Sequence, residues 1–277
     1  MKILITGANG QLGRELTKQY SERNEELILT DVAQLDITNT KQVYEFVNLH
    51  KPEVIINCAA HTAVDKCEAD EENAYKINAI GPKNLSAAAY AIGAEIVQIS
   101  TDYVFSGEVD KKLTEFDVTG PQTVYGATKL IGEKLTAQLN PKHYILRTAW
   151  LYGDGNNFVR TMLKLSETNK SLKVVNDQHG SPTSTVDLAR AIIKLVDERN
   201  YGIFHATCKG ECTWYDFTKE IFSIKGIDTE VIPCTTEEFP RPAKRPKYSV
   251  LKNYMMELTT GDIMRPWQEA LKEYLGE

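Results

Sequence analysis

The chain opens with the feature that most limits its fold. A β-rich apolar run, Ile3-Leu4-Ile5, leads through Thr6 into Gly7-Ala8-Asn9-Gly10-Gln11-Leu12-Gly13, and a helix-like pattern continues over residues 12–20. Glycines at 7, 10 and 13 between a strand and a helix fit a loop that cradles a dinucleotide pyrophosphate. Gly7 permits the tight turn, Gly10 lets backbone approach the phosphates, and Gly13 lets the helix pack on the strand. The helix N-terminus then offers unpaired N–H groups and the positive end of its dipole. Three spaced glycines alone are a weak signal, and a purely structural turn is the competing reading. Their position directly behind the first strand makes the signal specific.

Alternation of strand and helix repeats along the first half of the chain. Strand-like runs lie at 2–6, 26–30, 53–57, 95–100 and 144–147, each reading as a strand buried on both faces. Helix-like patterns fill 40–49, 71–91 and 123–139. Repeated strand–helix–strand units imply an α/β protein, a Rossmann-type doubly wound parallel sheet with right-handed crossovers. Beyond residue 150 the pattern loosens, with helices expected at 157–168, 185–197 and 214–224 and strands at 172–175 and 203–206. This predicts a dinucleotide-binding Rossmann domain over 1–150. Residues 151–277 form a smaller α/β region, mainly substrate-binding, with some segments returning to the sheet. The stretch Pro240-Arg241-Pro242-Ala243-Lys244-Arg245-Pro246 resists helix and sheet because proline lacks the N–H donor. It reads as a solvated loop or as a basic arm for an anionic ligand.

Composition narrows the function classes. The 277 residues allow one large domain or two modest ones. With 32 bases against 38 acids the net charge is −6, which leaves no basic excess to neutralise nucleic-acid phosphates. No run of about twenty apolar residues exists to span a membrane, and Met1-Lys2 runs straight into a strand without a signal peptide. A cytoplasmic protein, monomer or homodimer, is expected. Cys58, Cys67, Cys208, Cys212 and Cys234 are an odd number, as expected for free thiols in a reducing compartment. Cys208 and Cys212 lack a second ligand pair at zinc spacing, and no metal site is expected.

The carboxyl ends of the strands carry the candidate site. Asp31 ends the second strand, where an acid commonly accepts from the adenosine ribose and favours NAD over NADP; a turn cap is its other reading. Asp36 and Ile37 could line the adenine. Asn57-Cys58-Ala59-Ala60 ends the third strand with small residues, as a close ligand approach requires. The fourth strand runs into Ser100-Thr101-Asp102, and downstream Tyr125 and Lys129 are four apart, on one helix face. A phenol near pKa 10 suits proton transfer poorly, and an adjacent ammonium is expected to lower that value. Tyr125 would then donate a proton to a carbonyl oxygen as hydride arrives, Lys129 would reach the nicotinamide ribose, and the Thr101 hydroxyl would orient the carbonyl.

On these residues the chain resembles the extended short-chain dehydrogenase/reductases, and among them the dTDP-4-dehydrorhamnose reductase family. The matching runs are Gly7–Gly13 in Thr-Gly-Ala-Asn-Gly-Gln-Leu-Gly, 57–65 in Asn-Cys-Ala-Ala-His-Thr-Ala-Val-Asp, 100–107 in Ser-Thr-Asp-Tyr-Val-Phe-Ser-Gly, and Tyr125 to Lys129. Residues 147–153 in Arg-Thr-Ala-Trp-Leu-Tyr-Gly, 176–183 in Asn-Asp-Gln-His-Gly-Ser-Pro-Thr and 245–251 in Arg-Pro-Lys-Tyr-Ser-Val-Leu complete the set. They reach across almost the whole chain. The glycine loop and the Tyr–Lys pair are shared by the superfamily; the others are narrower.

The resemblance implies reduction of the 4-keto group of a dTDP-sugar, dTDP-4-dehydro-β-L-rhamnose, by NADPH or NADH. Tyr125, Lys129 and Thr101 would be catalytic. Gly10, Gln11 and Leu12 would hold the pyrophosphate, Asp36 and Ile37 would meet the adenosine, and Ala60, His61 and Thr62 the middle of the cofactor. Thr101, Asp102 and Trp150 would contact the sugar. Trp150 could equally be core. Arg245 suits a diphosphate bidentately or is simply solvated. His61 reads better as ordering its loop than as a base. One rival is an epimerase or dehydratase of the same superfamily, which returns its cofactor unchanged each cycle. Dehydratases commonly carry an acid beside the threonine, as Asp102 is here, yet tend to be longer. A second rival is a non-catalytic regulator, similar to the regulatory subunit of methionine adenosyltransferase; such a protein needs no complete Thr–Tyr–Lys set.

Overall fold

In the computed structural model, which describes residues 1–276, the apolar runs pair into one six-stranded parallel sheet. Its strands are β1 (Lys2–Thr6), β2 (Glu26–Thr30), β3 (Val54–Asn57), β4 (Glu95–Thr101), β5 (His143–Thr148) and the later strand Gly202–His205. Across the sheet the order is Gly202–His205, β5, β4, β3, β1, β2. Register places Ile5 against Ile56, Val97 against Tyr144, and Phe204 against Leu146. The order reverses beside β1, and there the β1 and β3 loops part, the crevice in which open α/β sheets bind ligands.

Alternation along each strand feeds two cores. Ile3, Ile5, Val54, Ile56 and Val97 point to one face, under Leu12, Leu16 and Tyr20 of α1 (Gln11–Ser21) and Leu188, Ile192 and Leu195 of the helix Thr185–Glu198. Leu4, Ile55 and Ile96 point to the other, under Val43 and Val47 of α2 (Thr40–His50) and Leu85, Ala88 and Ala89. β2 departs from the expected two-sided burial. It is an edge strand, and Leu29 is 44% exposed, because no further strand pairs beyond it.

The expected single helix over 71–91 is interrupted. An α-helical turn, Glu71–Tyr75, gives way to a π-helical turn, Lys76–Ile80, before the helix resumes at Gly81–Ala91. The extra residue of the π turn swings Asn78 inward, where it becomes part of the site. The neighbouring helix Val124–Leu139 passes so close that a Cβ on Gly132 would fall 2.2 Å from the Asn78 carbonyl oxygen.

Beyond β5 smaller elements assemble over the rim. Ser171–Val175 pairs in parallel with Glu230–Cys234, His179–Gly180 pairs antiparallel with Cys212–Thr213, and Leu151–Tyr152 runs parallel to Thr183–Ser184. The helix Trp214–Lys225 starts with a capping box between Thr213 and Asp216 and stops at Gly226 in the left-handed conformation. Segment 240–246 has neither helix nor strand, as its prolines dictate. It is tied down: Lys244 pairs with Glu108, and Gly107, at φ +70, leaves room for Pro246 where a Cβ would collide. Among the described residues no helix is long and apolar enough to cross a membrane.

Candidate functional site

The glycine loop has the geometry its spacing implies. Gly7 has φ +66, and a Cβ there would fall 2.7 Å from the Ala59 amide nitrogen. The β1 loop therefore lies directly on the end of β3. A Cβ on Gly13 would fall 2.3 Å from the Gly7 carbonyl oxygen, so α1 seats against its own loop only with glycine there. Gly10 is the N-cap of α1 and supplies no side-chain acceptor to the first-turn N–H groups. Those donors suit an anion. The residues present therefore fit a dinucleotide.

Around this loop the predicted residues divide. The Gln11 side chain is used structurally: its Oε1 accepts from the Gly153 amide (3.0 Å) and from Asn157 Nδ2 (3.2 Å), so only its backbone faces the loop. Asp31 Oδ1 accepts from the Val32 amide at 2.9 Å and Oδ2 lies 3.4 Å from the Asn9 amide, a turn-capping arrangement. Asp36 likewise accepts from the amide and hydroxyl of Thr38. Ile37 is buried in the second core beside Gly81. At the end of β3, Asn57 binds the Thr6 hydroxyl, the Ala59 amide and Gln98, locking three strand ends together. Ala59, Ala60 and His61 are partly exposed and Thr62 is exposed. His61 is held through its backbone, its amide and carbonyl both paired with Asn78 at 2.8 and 3.1 Å. Asn78 also reaches the Thr128 hydroxyl, and so couples the cofactor-side loop to the helix Val124–Leu139.

That helix carries Tyr125 and Lys129, both buried, with Thr101 beside them at the end of β4. The Thr101 side chain is near enough to the Tyr125 phenol to influence it, and Tyr103 meets the Tyr125 ring edge-on at 5.5 Å. Thr101 Oγ1 donates to Asp102 Oδ1 at 2.9 Å. Burial pushes the Asp102 carboxyl up to about 6, prevailing over the hydrogen bond that Oδ1 accepts from Thr101, while Oδ2 is buried without a partner.

One expectation is corrected here. Lys129 does not bring the phenol down. Burial pushes the Tyr125 phenol up, and the counteracting influence is the nearby Thr101 side chain. Lys129 itself is depressed to about 8 by burial, partly offset by Glu133. Its Nζ donates to the Ile99 carbonyl at 2.5 Å, so in this arrangement the ammonium is spent on backbone and on Glu133. Desolvation penalises both charged forms, and at full burial it outweighs a neighbour's field.

Glu133 is a residue the sequence reading missed. It continues the stripe of Tyr125 and Lys129 by one more helical turn. Buried with Arg147, it accepts both Nε (3.0 Å) and Nη2 (2.8 Å), and Ser100 Oγ donates to it at 2.5 Å. The i, i+4, i+8 spacing was the available signal.

Two predicted sugar-site residues have partners of their own. Trp150, in the left-handed region at φ +48, stacks on Trp214 with centroids 3.4 Å apart and planes 8° from parallel. Gly180 packs against the indole, since a Cβ there would lie 2.4 Å from Trp150 Cε2. Trp150 thus offers less open face than expected, and Trp214 is the platform's unforeseen half. Arg245 pairs with Asp65 at 2.9 Å, and the Ala243 amide donates to the same carboxylate. The arm is thereby fastened to the short helix Val64–Ala69 that follows the His61 loop.

A doubly wound parallel sheet with a glycine turn at β1, and a buried threonine–tyrosine–lysine set at the same rim, defines the short-chain dehydrogenase/reductase class of dinucleotide-binding proteins. Within that class the chain belongs to the RmlD substrate binding domain family, whose model matches residues 1–277. It is similar to a dTDP-4-dehydrorhamnose reductase from Clostridium acetobutylicum, known from a crystal structure. The two are 69% identical with a TM-score of 0.99, over 100% of this chain and 99% of that one. It is also similar to a Bacillus anthracis dTDP-4-dehydrorhamnose reductase crystallised in complex with NADP, at 42% identity and TM-score 0.97, over 99% and 98% of the two chains. The spore coat polysaccharide biosynthesis protein SpsK of Bacillus subtilis is 43% identical over 100% of this chain and 97% of its own.

Proposed function

We propose that the protein reduces the 4-keto group of dTDP-4-dehydro-β-L-rhamnose to dTDP-β-L-rhamnose, using NADPH or NADH. The observation that carries this reading is the buried Thr101–Tyr125 hydroxyl pair at the rim that also holds the glycine loop. The named relatives supply the substrate.

When bound, the nicotinamide cofactor supplies the hydride. The open amides of Gln11, Leu12 and Gly13 would hold its pyrophosphate, with Gly7 and Gly10 making the turn, the Gly10 amide donating to the Gly7 carbonyl at 3.0 Å. Asp31, Asp36 and Ile37 border the adenosine, and Ala59, Ala60, His61 and Thr62 the middle of the molecule. Tyr125 gives its proton to the ketone oxygen as the hydride reaches carbon four, and the phenolate left behind regains a proton from solvent. A raised phenol keeps that proton loaded at neutral pH, as a reductase requires. Thr101 and the released Lys129 ammonium then stabilise the phenolate when it forms. Thr101 and Asp102 orient the sugar, the Trp150–Trp214 pair flanks it, and Arg245 meets the diphosphate after exchanging Asp65 for it. In this reading residues 1–150 bind the cofactor and 151–277 mainly the substrate, with Gly202–His205 returning to the sheet.

The test is an assay with dTDP-4-dehydro-β-L-rhamnose and each reduced nicotinamide in turn, monitoring cofactor oxidation against product. One cofactor oxidised per sugar reduced is expected. Cofactor returned unchanged while sugar is converted would refute reduction in favour of epimerase or dehydratase chemistry.

A further inference from the structure

The mechanism above leaves a buried charged cluster unused, and that cluster lies on the same helix face as Tyr125 and Lys129. Glu133 follows Lys129 by one turn of the helix Val124–Leu139 and is buried. Its Oε1 accepts from Ser100 Oγ at 2.5 Å and from Arg147 Nε at 3.0 Å, and its Oε2 accepts from Arg147 Nη2 at 2.8 Å. Ser100 and Arg147 stand opposite one another in the register of β4 and β5. The carboxylate is therefore gripped from two adjacent strands beneath the helix. We propose that Glu133 is a positioning residue for the reduction: clamped by Ser100 and Arg147, it is the counter-charge that keeps Lys129 an ammonium while Tyr125 gives up its proton. The proposal rests on the reductase reading above.

Three observations support it. First, little else near Lys129 holds its charge. Its Nζ donates to the Ile99 carbonyl, a neutral acceptor. The groups whose fields act on it are Glu133, one turn on, and the Cys58 thiol at the end of β3. Burial pushes that thiol up to about 12, so it stays neutral through the working range. Asp102 on the turn after β4 and Cys67 on the helix Val64–Ala69 act on Tyr125, and Tyr103 packs edge-on against its ring. A buried ammonium is disfavoured, and an opposite charge close by is what restores it. Second, stability alone does not call for the pair. Apolar residues of similar volume often replace a buried ion pair at no cost to stability. Here the pair carries an extra penalty, because Arg147 Nη1 is buried without a partner. What apolar residues could not supply is a negative charge one turn from Lys129. Third, the Arg147 charge does not cancel the one it holds. Its guanidinium lies over the Phe105 ring at 5.1 Å, and Lys129 feels Glu133 without opposition from it. An amine that had lost its proton could not stabilise the phenolate as it forms, so Glu133 acts on the reaction through Lys129.

The test uses the full chain and follows kcat/KM for the keto sugar from about pH 6 to about pH 9.5, each protein scaled to its own value at the acid end. In the parent the falling limb lies at about 8, where Lys129 loses its proton. Glu133→Gln is expected to lower that limb by about one pH unit, the influence of one neighbouring opposite charge. The scaled value would then be about threefold below the parent's at about pH 7.5, approaching tenfold at about pH 9. A residue that only braced the helix would lower the rate at every pH and leave the limb in place. Glu133→Gln also strands the Arg147 guanidinium and could cost the fold, so the second variant is Glu133→Leu combined with Arg147→Met, which removes both charges together. It should melt near the parent and show the same lowered limb. A limb that stays near 8 in the double variant overturns the proposal, and so does a uniform loss across the pH range in Glu133→Gln. Failure of the parent to oxidise a reduced nicotinamide with the keto sugar would refute the reductase reading itself, a different result from an unmoved limb.

Discussion

Tyr125 shows how far a side chain's chemistry depends on its surroundings. The phenol, its helix partner Lys129 and the hydroxyl of Thr101 were readable from spacing. The direction of the pKa shift was not, because it depends on burial. Replacing Tyr125 with Phe removes the proton donor and should lower turnover by about 10²-fold or more with cofactor binding retained. Steady-state rates and dinucleotide titration on the same protein check both halves. Lys129 is held near 8, so it loses its charge in an accessible range. The kcat/KM profile, which reports groups of the free enzyme, should fall as pH rises through about 8; a profile flat to about pH 9.5 would remove the ammonium from the mechanism. Asp102 provides a stability test. Its carboxyl sits near 6 in the fold against 3.8 when exposed, so the native state binds that proton more tightly. The stabilisation is full below about 4 and is lost as pH rises through 6. Asp102→Asn should therefore gain on the parent between pH 4 and 6, by roughly 1–3 kcal/mol, and hold that advantage above. Denaturant melts at pH 4 and 8 compare the two proteins.

At the scale of elements, the helix Val124–Leu139 is the part that must be placed accurately. It approaches the turn Asp102–Val104 that follows β4 so closely that a Cβ on Gly126 would fall 2.1 Å from the Tyr103 carbonyl oxygen. Gly126→Ala must therefore push the helix outward, and Tyr125 moves with it. A displacement of about 1 Å can cost about 10²-fold in rate, so activity should drop sharply while the circular dichroism spectrum is unchanged. The Glu133–Arg147 pair braces the same helix against β5. Glu133→Gln leaves a buried guanidinium short of its counter-charge and should cost about 3–5 kcal/mol, measured by urea unfolding. The six strands of the main sheet, Ser171–Val175 and the longer amphipathic helices before residue 226 were legible to within a residue or two, since two-residue and 3.6-residue periods are local properties; the strand Glu230–Cys234 and the helices Val64–Ala69 and Trp267–Leu275 were missed. The π turn at Lys76–Ile80 was not. Gly81-Pro82 in the middle of 71–91 was a local signal of an interruption, since Pro82 has no N–H to give the carbonyl one turn back; the turn is further held by Asn78 reaching His61 and Thr128 in other elements.

For the whole molecule, the two halves of the chain share one core. Tyr144 and Leu146 of β5 lie in the same apolar cluster as Ile192, Phe204 and Phe217, and Gly202–His205 completes the sheet. A fragment ending at residue 150 would expose that face, and it should show no cooperative thermal transition where the full chain shows one. The sequence alone was enough for the class of fold and for the convergence of Thr101, Tyr125 and Lys129, because a glycine loop, apolar periods and an i, i+4 pair impose their geometry over a few residues. The fastening of Arg245 to Asp65 across 180 positions, the stacking of Trp150 on Trp214, the turning of Asp31 onto its own loop and the sign of the Tyr125 shift were decided only by the tertiary structure. Each depends on which distant groups share a small volume and how much water is left between them, and no local spacing encodes either.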